Sequence, residues 1–90
     1  MSKDFFILYA TKDKEIYYIS NTNPIIWNSD IKEAKQYYSK YSAELDMLRN
    51  YDNYKCISSL IFNDKLDSLF VAIIGKNNEE YIEKGRIKLL

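Results

Sequence analysis

The segment Trp27–Ala34 marks a change from strand-like to helix-like sequence, and it constrains the fold more than any other feature of the chain. Before it, apolar residues occur in short runs rich in strand formers, whereas from Ile31 onward they recur every three or four residues, which is the helical period. Asp30 is suited to cap a helix that begins at Ile31, with Glu33 at the third helical position. The segment therefore predicts a junction between a sheet and a helical layer, with the Trp ring packing back on the new helix.

The residues before this junction predict a β-hairpin. Residues 5–11 and 15–20 are short runs of apolar strand formers, and the polar residues 12–14 between them form a turn. Turn-forming residues at 21–24 end the hairpin. Residues 25–27 are too few to be predicted as more than an extended apolar anchor.

After the junction, the spacing predicts two short helices that end near residue 50, with a break near Ser39, which can cap a second helix; one bent helix is the alternative. Residues 54–62, 66–74 and 86–90 are predicted strands, 75–78 a loop, and 79–84 either a helical turn or a strand. The predicted fold is α+β in a single domain of residues 1–90. It has an antiparallel sheet of four to five strands, in the order ββααβββ, with two short helices packed on one face.

Two of the predicted strands are apolar on both faces. Successive strand residues point to opposite sides of a sheet, and in the first strand both alternating sets are apolar: Phe5, Ile7 and Tyr9, and Phe6, Leu8 and Ala10. The strand 66–74 has the same property. About 20 helical residues cover only one face, so the second face requires a second copy of the chain, another partner, or a strongly curled sheet. The sequence leaves these three open.

The composition excludes most catalytic chemistry. The chain has no histidine, one cysteine and two glycines. Ser–His and Cys–His nucleophile pairs, zinc or iron–sulfur sites within one chain, and glycine-rich phosphate loops are therefore ruled out. The carboxylates Glu79, Glu80 and Glu83 are interpreted as a solvated charged face rather than an acid–base pair or a metal site. We expect no enzyme activity and no cofactor or metal.

The charges indicate no nucleic-acid surface. Thirteen basic and thirteen acidic residues alternate along the chain, so neither a basic stripe nor an acidic one is visible. Cys56 is the only cysteine, which is typical of an intracellular protein without an intrachain disulfide. Neither a signal peptide nor a membrane span is evident, so we expect a cytoplasmic protein without membrane contact.

The nine tyrosines are the main candidates for a binding surface. Some belong to the core, others suit a protein interface, and base stacking is less favoured because no basic groove accompanies it. The candidate partner-binding residues are aromatic or arginine positions that the core does not obviously claim: Tyr17, Tyr18, Tyr37, Arg49 and Tyr51.

The junction also carries a family resemblance. A hairpin followed by Trp27-Asn28-Ser29-Asp30-Ile31-Lys32-Glu33-Ala34, and then by Ser39 and Ala43-Glu44, resembles a pattern of small uncharacterised bacteriophage and prophage accessory proteins. In those proteins Thr usually stands at the position of Asn28. The resemblance covers half to two-thirds of the chain and brings no catalytic residues. It implies a phage-encoded accessory protein, a group in which inhibitors of bacterial immune systems are prominent.

These observations together predict a non-enzymatic, phage-type binding protein that inhibits a host protein, such as a component of a CRISPR defence system. It is expected to act by surface complementarity, as a homodimer through the second sheet face. Two alternatives remain: sequestration of a small nucleotide-type ligand at a subunit interface, and nucleic-acid binding.

Overall fold

The computed structural model describes residues 4–12, 14–50, 52 and 68–89 of the 90-residue chain. These residues form a five-stranded antiparallel sheet with the strand order β3-β2-β1-β4-β5. The elements are β1 (Phe5–Lys12), β2 (Glu15–Thr22), β3 (Ile25–Asn28), a 3₁₀ turn (Ile31–Glu33), α1 (Lys40–Arg49), β4 (Ser68–Asn77) and β5 (Glu80–Lys88). The predicted α+β class and the strand number are confirmed.

The predicted first hairpin is present. Tyr9 lies opposite Tyr18, and Lys12 lies opposite Glu15 at the turn. Residues 25–27, predicted as an anchor only, instead belong to the strand β3, which pairs with β2 after a turn that contains a cis peptide bond at Pro24. Pairing with a neighbouring strand makes even this short run a strand.

The second hairpin differs from the prediction at both of its ends. β4 continues through the predicted loop to Asn77, and the turn consists of Asn78 and Glu79. Both have positive φ angles, 49° and 72°, as the central residues of a type I′ hairpin turn require. Residues 80–84, for which the sequence allowed a helical turn or a strand, join the last predicted strand in β5, with Gly85 inside it. The strand predicted at 54–62 lies outside the described residues, as do Tyr51 and Cys56.

The prediction of a first helix from Ile31, and with it the order ββααβββ, is wrong. Asp30 does cap the segment, because its carboxylate accepts a hydrogen bond from the Lys32 N–H at 2.9 Å. The cap starts only a 3₁₀ turn, however, and the backbone is extended again at Ala34.

The physical reason is a gap between β1 and β2. Their pairing stops at Tyr9 and Tyr18, and residues 35–37 fill the space beyond. The Lys35 N–H donates to the Ile19 carbonyl at 2.8 Å, and Tyr37 exchanges two backbone hydrogen bonds with Phe6 at 2.7 and 2.8 Å. These bonds satisfy strand groups that would otherwise lack partners, so sheet pairing prevails over a short and marginal helix.

A helix does begin after Ser39, as predicted for the second of the two helices, but the segment predicted as the first forms only the 3₁₀ turn. The Ser39 hydroxyl accepts a hydrogen bond from the Ser42 N–H at 3.0 Å and so caps α1. Ala43 and Met47 are the buried residues of this helix. They pack on one face of the sheet, called here the helix face, against the core residues Leu8, Ala10, Leu69 and Val71. Within residues 14–50, α1 is the one α-helix.

The opposite side, called here the second face, has a core of its own. Its buried residues are Phe5, Ile7, Tyr9, Ala34, Ala72 and Ile74. Ile31 and Ala34, from the segment around the 3₁₀ turn, cover these strand residues together with partly buried aromatic rings. Ile7 and Ala72 are 0% exposed within the single chain. The two segments predicted as helices thus lie on opposite faces, and these side chains need no second copy of the chain to be buried.

Within the described residues, no helix has the length and apolar character needed to cross a membrane.

Candidate functional site

An open groove of about 190 Å³ lies on the second face. We call it the second-face groove. Its apolar walls come from strands β1, β2 and β4 and from the 3₁₀ turn: Ile7, Ile16, Ile31 and Ile74. Ile7 and Ile74 are buried beneath it, whereas Ile16 is 39% exposed and belongs to its rim.

The other lining residues are three tyrosines and one carboxylate: Tyr9, Tyr18, Tyr81 and Glu83. Sheet register explains why they meet. Tyr9 lies opposite Tyr18, so their side chains share a face, and the rings contact edge-on with centroids 5.8 Å apart. In the β4–β5 pair, Glu83 lies opposite Ile74, next to a register shift that follows Ile73.

Tyr9 is the centre of a polar network at the groove. Its hydroxyl donates to Glu83 Oε1 at 2.5 Å and accepts from Arg86 Nη1 at 3.2 Å. The Arg86 guanidinium lies over the Phe70 ring, 4.4 Å from its centroid. Burial is the main cause that raises the pKa of Tyr9 to about 12; the Arg86 hydrogen bond opposes this rise, and Glu83 adds to it.

Two carboxylates act on Tyr18. Burial raises the pKa of its hydroxyl first, and the negative charges of Glu83 and Asp30 raise it further. Both tyrosine hydroxyls are therefore neutral at physiological pH. Glu83 of β5 lines the groove, and the charge of Asp30, the cap of the 3₁₀ turn, acts on Tyr18 from outside the lining.

The raised pKa of Tyr9 predicts loss of stability in alkali. The folded state holds the Tyr9 proton to about pH 12, whereas an unfolded tyrosine releases it near pH 10. The contribution of the protonated Tyr9 hydroxyl to the free energy of unfolding is therefore complete below pH 10 and is lost as the pH rises towards 12. Tyr9→Phe should flatten this part of the pH profile, measured by urea unfolding at a series of alkaline pH values. The control is Tyr38→Phe, which removes a hydroxyl from a side chain that is 81% exposed. Equal profiles for the two variants would contradict the prediction.

The structure brings one of the five predicted binding residues, Tyr18, to the groove. Tyr17 lies on the helix face, where its hydroxyl donates to Glu15 at 2.6 Å. Tyr37 is 6% exposed and its hydroxyl bonds to Asp46, so the premise that the core leaves it free does not hold. Arg49 is exposed at the end of α1, beyond the opposite face, and Tyr51 lies outside the described residues.

The sequence did not predict that Tyr9, Tyr81 and Glu83 lie together in one groove. Strand alternation alone places Tyr9 on one face with Phe5 and Ile7, but that signal names no partner. The hydroxyl of Tyr9 meets a carboxylate 74 residues away, and only the register between β4 and β5 decides this. Glu83 is exposed, as a charged face predicts, yet it belongs to the groove.

Comparison of the chain with protein-family models, curated proteins and solved structures found no match. Among residues 4–12, 14–50, 52 and 68–89, no three carboxylate or thiol side chains gather as they would around a metal ion.

Proposed function

We propose that the protein is a non-enzymatic binding protein of phage type that inhibits a host protein, and that the second-face groove is its contact surface. The observation that carries the proposal is the groove itself, which combines apolar walls, tyrosine rings and one carboxylate in a depression open to solvent. Protein interfaces concentrate their binding energy in such places, where tyrosines surround a pocket and a few polar groups set the orientation.

The target class remains the one inferred from the resemblance, a bacterial defence system such as CRISPR. The sequence supports the non-enzymatic part, because a chain without histidine would have to build any reaction from carboxylates, lysines and tyrosines.

The geometry disfavours the nucleotide alternative at this groove. Its volume of about 190 Å³ is below the ~300–1,000 Å³ of typical small-molecule sites. Glu83 would also repel a phosphate group. The balance of thirteen basic and thirteen acidic residues gives nucleic-acid binding no support.

A homodimer through the second face stays a prediction, but its original argument is weaker, because the deepest side chains there are buried by the chain itself. The most exposed large apolar side chains of the described residues lie on and beside α1, where Tyr38, Tyr41 and Leu48 are 81%, 71% and 65% exposed. The molecular mass in solution decides between monomer and dimer.

The proposal predicts that a substitution at the rim abolishes inhibition. Bacteria with an active CRISPR system, challenged with a targeted phage, should lose protection when they express the wild-type protein. Ile16→Glu places a charge on the groove rim at a partly exposed position and leaves the core residues unchanged, so it should restore protection and prevent recovery of the host target by affinity capture.

Leu48→Glu is the matched control, because it places the same charge on an exposed apolar residue of α1, beyond the opposite sheet face. It should behave like the wild type. Loss of inhibition and of target capture in Leu48→Glu but not in Ile16→Glu would assign binding to the helix side. Unchanged protection with the wild-type protein, and no specifically captured host protein, would reject the proposed function.

A further inference from the structure

We propose that the second-face groove binds the ammonium group of a lysine side chain of the protein partner, with Glu83 as its counter-ion and the rings of Tyr9, Tyr18 and Tyr81 around it. This inference rests on the proposed function and adds the chemistry that the site recognises.

Glu83 offers one free carboxylate oxygen to a ligand. Its Oε1 accepts the Tyr9 hydroxyl at 2.5 Å, whereas no hydrogen bond reaches its Oε2 within the described part of the chain. The neighbouring cation, Arg86, donates to the hydroxyl of Tyr9 and stacks on Phe70, and it does not line the groove. A cation entering the groove therefore meets a carboxylate with an unused acceptor.

The remaining lining suits the rest of a lysine side chain. Its aliphatic stem can pack along the isoleucine walls while the charged head reaches the carboxylate. Tyrosine rings attract a cation through their negatively charged faces, and their effect is larger in a partly desolvated site. Asp30, whose charge acts on Tyr18, adds to the negative potential. Arg86 acts in the opposite direction on Tyr9 and Glu83, but it lies outside the lining. The charged side chain of the lining, Glu83, is therefore complementary to an ammonium group.

Size and geometry favour lysine over larger or forked cations. A volume of about 190 Å³ is close to that of a ~150 Å³ protein cavity that holds one benzene molecule, so the groove takes one side chain. An arginine guanidinium binds best to both oxygens of a carboxylate, and here Tyr9 already occupies one of them. An ammonium group is a point charge and needs a single oxygen.

The test uses the isolated protein labelled with ¹⁵N and titrated with N-acetyl-lysine methylamide, followed by amide chemical shifts. We expect saturable shifts at the amides of Tyr81 and Glu83. The Nε-acetylated form of the same probe has the same stem without the charge and should bind at least tenfold more weakly, because a hydrogen bond to a charged group is lost.

Glu83→Gln should weaken binding of the lysine probe to a similar extent, since it removes the charge and keeps an acceptor for Tyr9. Glu80→Gln is the matched control, an exposed glutamate of the same strand outside the groove lining, and should change affinity less than twofold. Absence of saturable shifts, equal binding of the two probes, equal behaviour of the two variants, or tighter binding of the arginine analogue would each overturn the proposal.

This outcome is separate from that of the proposed function. Lysine binding that depends on Glu83, in a protein that leaves host defence intact, would reject the inhibitor function and keep the site. Inhibition of host defence without lysine binding would reject the lysine site and keep the inhibitor function.

Discussion

Replacing Ile7 with alanine is expected to lower the free energy of unfolding by about 2–5 kcal/mol, which is the usual cost of deleting a large aliphatic side chain from a core. Ile7 is 0% exposed beneath the second-face groove, in the core formed with Ala34, Ala72 and Ile74. Neighbouring backbone is held by the sheet ladder on one side of β1 and by the Tyr37 bridge on the other. The cavity left by the substitution therefore has little freedom to collapse, and the loss should be large for so small a domain.

The measurement is urea unfolding at several protein concentrations. Leu8→Ala removes a residue that is also 0% exposed, but on the helix face, and should cost a similar amount. Ile16→Ala, at the exposed rim, should cost less than about 1 kcal/mol. If a second copy of the chain buried this face instead, the effect of Ile7→Ala would depend on protein concentration. A small effect of Ile7→Ala beside a large one of Leu8→Ala would show that the second face has no core of its own.

Replacing Asp46 with alanine is expected to cost about 1–3 kcal/mol at neutral pH, because it removes three hydrogen bonds to a charged carboxylate that joins α1 to the segment 35–37. The Asp46 carboxylate accepts the Tyr37 hydroxyl, the Lys35 ammonium at 3.2 Å and the Asn50 side-chain amide at 3.2 Å. Its side chain is only 20% exposed. The Lys35 ammonium also donates to Thr22 at 3.1 Å and thereby ties the same network to β2.

The cost should depend on pH with a definite sign. Burial alone would raise the pKa of Asp46, but the hydrogen bonds from Tyr37 and Lys35, with the Lys35 charge, lower it below its ordinary value. A carboxylate with a depressed folded pKa stabilises the fold above its unfolded pKa, and the contribution is lost as the pH falls through the folded value. The difference between wild type and Asp46→Ala should thus be full at neutral pH and shrink in acid.

Glu44→Ala is the control for this experiment. Glu44 lies on the same helix and pairs with Lys40 at 3.4 Å on the surface, an interaction worth about 0.3–0.5 kcal/mol. An Asp46→Ala variant no less stable than Glu44→Ala, or a difference from wild type that stays constant into acid, would mean that the network contributes little.

The predicted helix from Ile31 shows where local sequence reasoning failed. Its cap was identified correctly, since an Asp side chain can accept from a backbone N–H two residues later in a 3₁₀ turn as well as in an α-helix. The conformation after the cap was decided by Phe6 and Ile19, whose backbone groups needed partners once β1 and β2 had separated. Ala34 is buried and Ile31 is partly buried, but they cover the second face rather than extend a helix on the first. Tyr38 and Tyr41, which continue the same three-to-four-residue spacing, are 81% and 71% exposed.

In the candidate site, too, residue type predicted part of the arrangement and tertiary contacts decided the rest. Tyr17 and Tyr18 were both predicted as binding residues from their residue type, and only Tyr18 lines the groove. Tyr37 has the same residue type, and Asp46 draws it into the core. Residue type indicates which side chains are suited to bind a partner, whereas burial and hydrogen bonding decide which tyrosine is accessible to that partner.

By itself the sequence determined what depends on neighbours along the chain: the first hairpin, the caps at Asp30 and Ser39, the two apolar faces of β1 and the lack of histidine chemistry. Only the tertiary structure decided that β5 is one strand, that residues 31–33 form a 3₁₀ turn rather than a first helix, and that Tyr9 meets Glu83. The reason is that a strand's side chains choose a face by alternation alone, but their partners depend on the register between segments far apart in sequence. The register between β4 and β5 places Glu83 in the groove, and the proposed lysine site depends on that placement.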